Sequence, residues 1–200
     1  MAVILTGIPL NALTELVNGW GTLPRQEDGR ASDPLPSAAD IEQKLALPAH
    51  VGAALTSQTL ADAADCLHGV FSAPDGGTCA RSLTSLLSDT AIHPVVDTAA
   101  DGALRAAWSV EDTGHALAAA AGITLREYLA SHGFARIGIC TGARCADVYI
   151  DQSPGGRRRF CSVTCQNRTR VAAFRSRKEA TSDRAPHRDD RTRTDQRESS

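Results

Sequence analysis

Two cysteine pairs, Cys140-Thr-Gly-Ala-Arg-Cys145 and Cys161-Ser-Val-Thr-Cys165, stand in the spacing C-x4-C-x15-C-x3-C near the end of this 200-residue chain. Two close pairs joined by a short polar segment can converge on one tetrahedral Zn²⁺, with Zn–S distances of about 2.3 Å. Four thiolates leave no open coordination position, so such a site is structural and not catalytic. An iron–sulfur cluster takes the same four ligands, and four unrelated cysteines are the remaining alternative. Arginines crowd the second pair: Arg157, Arg158 and Arg159 precede it, and Arg168, Arg170, Arg175, Arg177 and Lys178 follow it.

The cations are not spread evenly. The formal charge is −2 overall, yet residues 1–133 carry a net −9, residues 134–178 a net +8 and residues 179–200 a net −1. Such separation points to separate partners for the parts. Eight basic residues and no acidic one fall within 157–178, so salt bridging inside that segment cannot account for them. A polyanion can. Only eight aromatic residues serve the whole chain, so its core must rest on Leu, Val, Ile and Ala, a composition that favours helices.

The pattern predicts a mainly α N-terminal domain over residues 1–133. Helices are expected at Asn11–Gly19, from the cap at Ser37 to Pro48, over 57–71 and over Thr78–Leu87. A short strand at 95–100 is expected to precede an Ala-rich helix over 101–121, with Thr113-Gly114 as the place where it could break, and Thr124 to cap a further helix ending at Gly133. Residues 21–36 read as an irregular loop, and Pro74-Asp-Gly-Gly77 as a turn. From 134 the pattern changes to short strands at 136–140 and 148–150. A Gly155-Gly156 turn would return residues 157–160 against the second strand, and Ser162 would cap a helix to about Lys178. That is a small treble-clef-like zinc finger of β-hairpin and helix over 134–178. Residues 179–200 hold almost nothing apolar and read as a disordered C-terminal tail.

The runs Cys140-Thr-Gly-Ala-Arg-Cys145, Val148-Tyr-Ile-Asp151, Arg158-Arg-Phe-Cys161 and Cys165-Gln-Asn-Arg168 resemble the CGNR zinc finger. Gln166 stands in place of that family's glycine, and Phe160 in place of its usual tryptophan. The resemblance spans roughly residues 134–178 and implies zinc at the four cysteines. Such modules usually follow an ABATE domain, a helical unit tied to bacterial stress-related transcription. Residues 1–133 fit that position, and Leu16-Val-Asn18 is similar to its early signature, with Gly19 where threonine is expected. The resemblance implies a DNA-binding transcription regulator.

At 100° per residue, Val171 and Phe174 fall between two arginine pairs of the last helix and are expected to pack on the hairpin. Asn167 and Arg168, close to the metal, are assigned structural roles, Arg168 through Asp147, Asp151 or backbone carbonyls. Arg157, Arg158, Arg159, Arg170, Arg177 and Lys178 are the candidates for phosphate contact. DNA is the first reading of the partner. RNA and an acidic protein surface are the alternatives, the latter including the chain's own acidic unit as an intramolecular lid.

Other signals are weaker. Cys66 and Cys79 read as buried small hydrophobes. The histidines show no metal-binding spacing, and neither a phosphate-binding glycine loop nor a nucleophile elbow occurs, so no catalytic residue is assigned and the chain is not expected to be an enzyme. Trp20 and Asn18 are candidates for lining an effector pocket in the N-terminal unit, which is otherwise expected to sense a small molecule or to form a homodimer. No apolar run reaches the length of a membrane span. No basic leader precedes the first apolar stretch, and a cytoplasmic setting, where paired cysteines stay reduced, is expected.

Overall fold

The computed structural model of the chain describes residues 2–182. Strand β1 (Val3–Leu5) leads into helix α1 (Leu10–Trp20), which buries Leu13, Leu16, Val17 and Trp20 at helical spacing. Helix α2 (Thr22–Glu27) follows at once, where a loop is predicted. Its start is fixed from far along the chain: the Asp65 carboxylate accepts from the Thr22 N–H and hydroxyl, both at 2.6 Å. The buried Arg25 guanidinium then ties down the following loop by donating to the carbonyls of Arg30, Asp33 and Pro34. Neither bond is visible in local sequence.

Ser37 caps as expected, its hydroxyl accepting from the Ala39 N–H at 3.3 Å while the Asp40 carboxylate accepts from the Ser37 N–H at 3.0 Å. The helix it opens, expected to reach Pro48, is broken into one 3₁₀ turn and α3 (Glu42–Leu45), with Ala46 in the left-handed region at its end, and a separate short helix α4 (Ala49–Gly52) follows Pro48. Helix α5 (Ser57–Phe71) matches its prediction and buries Leu60, Ala64, Leu67 and Phe71. Helix α6 (Gly76–Asp89) begins inside the predicted turn, because the Asp75 carboxylate accepts from the Thr78 N–H at 2.8 Å.

The largest correction falls on residues 101–121. They form no continuous helix. Strands β2 (His93–Thr98) and β3 (Leu104–Val110) make an antiparallel hairpin, and β1 pairs with the other edge of β3 to give the order β1-β3-β2. Alanine propensity misled the prediction: Ala106 pairs with Val96 and Trp108 with both Pro94 and Leu5, so ladder pairing on both sides overrides a weak local preference. Helix α7 (Ala116–His132) then runs unbroken. Thr124 caps nothing; it lies mid-helix, where its hydroxyl accepts from the Ile8 N–H at 2.7 Å and lies 2.8 Å from the Ile8 carbonyl. Helix α6 crosses α7 at Gly122, where a Cβ would stand 2.8 Å from methyl carbons of Leu86 and Leu87. A side chain there would force both leucines to shift.

Strands β4 (Ile137–Ile139) and β5 (Val148–Ile150) form a second antiparallel sheet, pairing Ile137 with Ile150 and Ile139 with Val148. Ile137, Val148 and Ile150 belong to the same apolar cluster as Leu13, Leu16, Leu60, Leu67 and Ile123. The cysteine-bearing hairpin therefore shares its core with α1, α5 and α7. Helix α8 (Val163–Ser182) extends into the segment expected to be tail; residues 183–200, the rest of that expectation, lie outside the described residues. Among the described residues, no helix is long and apolar enough to cross a membrane.

Candidate metal centre and cationic helix

Strand β4 delivers Cys140 and β5 receives the chain after Cys145, so the first pair sits on the turn joining the two strands. The Cys140 N–H donates to the Asp147 carbonyl at 2.8 Å and closes that turn. Gly142 sits close against the site, and a Cβ there would meet the Cys140 sulfur at 3.3 Å and the Cys165 Cβ at 3.4 Å, a tight fit. The second pair comes from the start of α8. The Ser162 hydroxyl accepts from the Cys165 N–H at 3.2 Å, the cap expected of it, and sets Cys161 and Cys165 one turn apart on one face.

All four sulfurs lie within 4.8 Å of one another. Cys145–Cys161, Cys161–Cys165 and Cys145–Cys165 are separated by 3.8, 3.5 and 3.7 Å. A tetrahedron with bonds of about 2.3 Å has edges of about 3.8 Å. The donor set fits zinc, the three edges among Cys145, Cys161 and Cys165 match that tetrahedron, and four thiolates leave no coordination position for substrate.

Burial holds thiols in their neutral form. It pushes Cys145 up to about 12, with the Asp147 charge adding to the effect, and pushes Cys161 up as well. Cys140 is also buried, yet the backbone N–H groups of Cys161 and Gly142 donate to its sulfur and bring it below an ordinary thiol. A divalent cation ionises all four. The Arg168 guanidinium, 3.3 Å from the Cys165 sulfur, then offsets part of the anionic charge. Arg168 thus reaches a cysteine sulfur and not the expected Asp147 or Asp151.

The predicted pairing of 148–150 with 157–160 does not form. Asp151 directs that segment elsewhere. Its buried carboxylate accepts from the Ser153 N–H at 2.9 Å, the Ser153 hydroxyl at 2.5 Å and the Arg158 N–H at 2.8 Å, folding 151–158 into a closed loop. The Ser153 hydroxyl, with the Arg158 and Ser153 N–H groups and the Arg136 charge, keeps that carboxyl below the usual range. The Arg158 guanidinium donates to the carbonyls of Phe160 at 2.9 Å, Ile150 at 3.3 Å and Cys161, bracing its own backbone while the residue stays exposed. Arg159 joins the turn through its carbonyl, which accepts from the Thr141 N–H at 2.9 Å, and leaves its side chain exposed.

Every side chain from Arg170 to Arg177 is exposed. Val171 and Phe174, expected to pack on the hairpin, are 49% and 63% exposed. The helix points away because its base is fixed by Cys161 and Cys165, and no turn brings it back. Among the described residues, the ion pairs Arg30–Asp28, Lys44–Glu15 and Arg105–Asp101 all lie in the N-terminal unit. None of Arg157, Arg159, Arg170 and Arg175 pairs with a carboxylate of that unit among the described residues. Asn167 is exposed and makes no side-chain hydrogen bond among the described residues, so no bond carries the structural role assigned to it. The side chain of Lys178 lies outside the described residues.

Other expectations also shift. Cys66 is exposed, while Cys79 is buried as expected. Trp20 is packed, its Nε1–H donating to the Pro36 carbonyl at 3.2 Å, and Asn18 is committed to Val148 rather than to a pocket. His68, set aside in the sequence, holds the Ala146 carbonyl at 2.9 Å and braces the cysteine turn against α5. A lone histidine on an apolar helix face carries no signal for that role.

The family model of the CGNR zinc finger matches residues 136–178. That stretch covers the four cysteines, β4, β5 and α8 through its cationic turns. No curated protein matches the chain.

Proposed function

We propose that the chain is a DNA-binding transcription regulator of a reducing, cytoplasmic compartment, in which zinc fixes the base of a cationic helix and an ABATE-like N-terminal unit carries regulation. One observation supports this above the others: the side chains of residues 170–177 are all exposed, and that stretch of sequence holds three arginines and no acidic residue. A helical segment with no buried face gains little from packing within its own chain, so a partner that docks on it would add to its stability. Its arginines occupy both flanks of the Val171–Phe174 stripe, a distribution suited to a groove with phosphates on two sides and unsuited to a flat surface. α8 has 20 residues, so its length of about 30 Å is enough to follow such a groove.

The contacting cations in this reading are Arg157, Arg159, Arg170, Arg175, Arg177 and Lys178, with Arg158 and Arg168 holding the frame. The same cations would serve RNA or an acidic protein, and competition separates these partners. The zinc-loaded full chain is titrated with random duplex DNA and with structured RNA at several salt concentrations, as wild type and as the double variant R170S/R175S. Tighter duplex binding, weakened in the variant, supports the proposal. Preference for RNA moves the assignment to that polymer. Absence of binding to either at low salt removes the nucleic-acid reading.

A further inference from the structure

A groove of about 580 Å³ opens between α6, α7 and β3, and none of the four clustered cysteines lines it. Its wall is apolar: Leu83, Leu87, Ile92, Ile123, Leu129 and Phe134 face it. One charged side chain lines it. Arg126, one and a half turns before the end of α7, sits with its guanidinium 5.2 Å from the centre of the Trp108 ring. That stacking holds the fork at the groove edge without consuming its N–H donors. No carboxylate lines the groove, and no ion pair or hydrogen bond engages the Arg126 side chain among the described residues.

A concave apolar volume in the usual ligand range, with one oriented polar group, is the general form of a small-molecule site. The occupant is set by the chemistry of the wall. Its body must be apolar to match leucine, isoleucine and phenylalanine, and its head must be anionic to satisfy a guanidinium fork. The chain's own C-terminal segment is unsuited, since residues 183–200 contain no Leu, Ile, Val, Met or aromatic residue. We infer that this groove is a binding site for an amphipathic monocarboxylate, with Arg126 pairing the carboxylate and the α6–α7 wall taking the apolar body. The site is assembled by the β3 strand that positions Trp108. Phe134, at its far end, stands three residues before β4, so an occupant touches the segment that enters the cysteine hairpin.

The zinc-loaded full chain is titrated with decanoate and, separately, with 1-decanol, following tryptophan fluorescence and heat. Decanoate is expected to bind at one site per chain, at least tenfold more tightly than the alcohol. R126Q is expected to erase that preference while leaving weak binding of both ligands. A80W places an indole in the groove from an exposed position and is expected to block both; its melting midpoint, compared with wild type, verifies that it folds. Equal binding of acid and alcohol, decanoate affinity unchanged in R126Q, or no decanoate binding would each overturn the inference. Sedimentation of the ligand-free chain adds one more check: a dimer that A80W converts to monomer assigns the groove to a second copy and overturns it too.

Discussion

The Asn18 carboxamide pairs twice with the backbone of Val148: the Val148 N–H donates to Oδ1 at 2.7 Å, and Nδ2 donates to the Val148 carbonyl at 3.1 Å. A side chain on α1 thus completes the open edge of β5, 130 residues away, as a strand would. Together with His68 on the Ala146 carbonyl and the Tyr128 hydroxyl on the Asp151 carbonyl at 2.7 Å, it ties three helices to the zinc-bearing hairpin. Replacing Asn18 by alanine leaves two strand-edge groups without partners. A loss of about 2 kcal/mol is expected in urea unfolding. N18D sets a carboxylate oxygen against the Val148 carbonyl, and a larger loss is expected.

Zinc removal should have an uneven effect. The β4–β5 strands share a core with α1 and α5, whereas α8 is held at its base by Cys161, Cys165 and Arg168. Metal analysis is expected to find about one zinc per chain, lost in C145S and in C161S. Chelation is expected to reduce helical circular dichroism by roughly the share of α8 while the main unfolding transition persists. Collapse of the entire fold on chelation would show that the hairpin's core contacts are too weak to hold it.

Arg158 and Arg170 carry the same charge and should fail differently. R158S removes donors from three backbone carbonyls beside the zinc site, so reduced stability and faster metal loss are expected. R170S removes an exposed cation, so unchanged stability is expected, with the slope of log K against log salt shallower by roughly 0.9. Titrations of both variants against one duplex, alongside urea unfolding, separate the two outcomes.

Asp151 predicts a pH signature. Its folded carboxyl lies below the ordinary value of 3.8, because the Ser153 hydroxyl and the Arg158 and Ser153 N–H groups stabilise the ionised form. A lowered folded value adds stability that is present above about pH 4 and is lost as pH falls through the folded value. D151N is therefore expected to be less stable than wild type by about 1–3 kcal/mol at pH 7. The difference between the two proteins should shrink below pH 4. A gap that stays constant from pH 7 to pH 3 would mean that the charge of Asp151 contributes nothing.

The metal site was legible because its ligands lie in two short, self-contained motifs; Cys140, Cys145, Cys161 and Cys165 needed only spacing. Helix α5 was equally clear, since Leu60, Ala64, Leu67 and Phe71 mark one face. The failures share one physical origin. Leu104-Arg-Ala-Ala-Trp-Ser-Val110 has helical composition but sits between β1 and β2, and a central strand is decided by neighbours distant in sequence. Helix α2 depends on Asp65, and the loop after β5 depends on the Asp151 carboxylate reaching Arg158. The Arg126 groove was hidden for the first of these reasons, because Trp108 reaches it only if β3 is a strand. Val171 and Phe174 erred in the opposite direction: a stripe that spacing reads as buried stands in solvent because the zinc ligands aim α8 outward.

The most direct measurement is duplex binding by the full chain across a salt series, with zinc bound and after chelation. Six neutralised phosphates give an expected slope of roughly −5 in log K against log salt for the zinc form. Chelation should flatten that slope and weaken binding, because it frees the base of α8. Binding with the same slope and affinity in both forms, or no binding by the zinc form at low salt, would contradict a zinc-held cationic helix as the nucleic-acid contact.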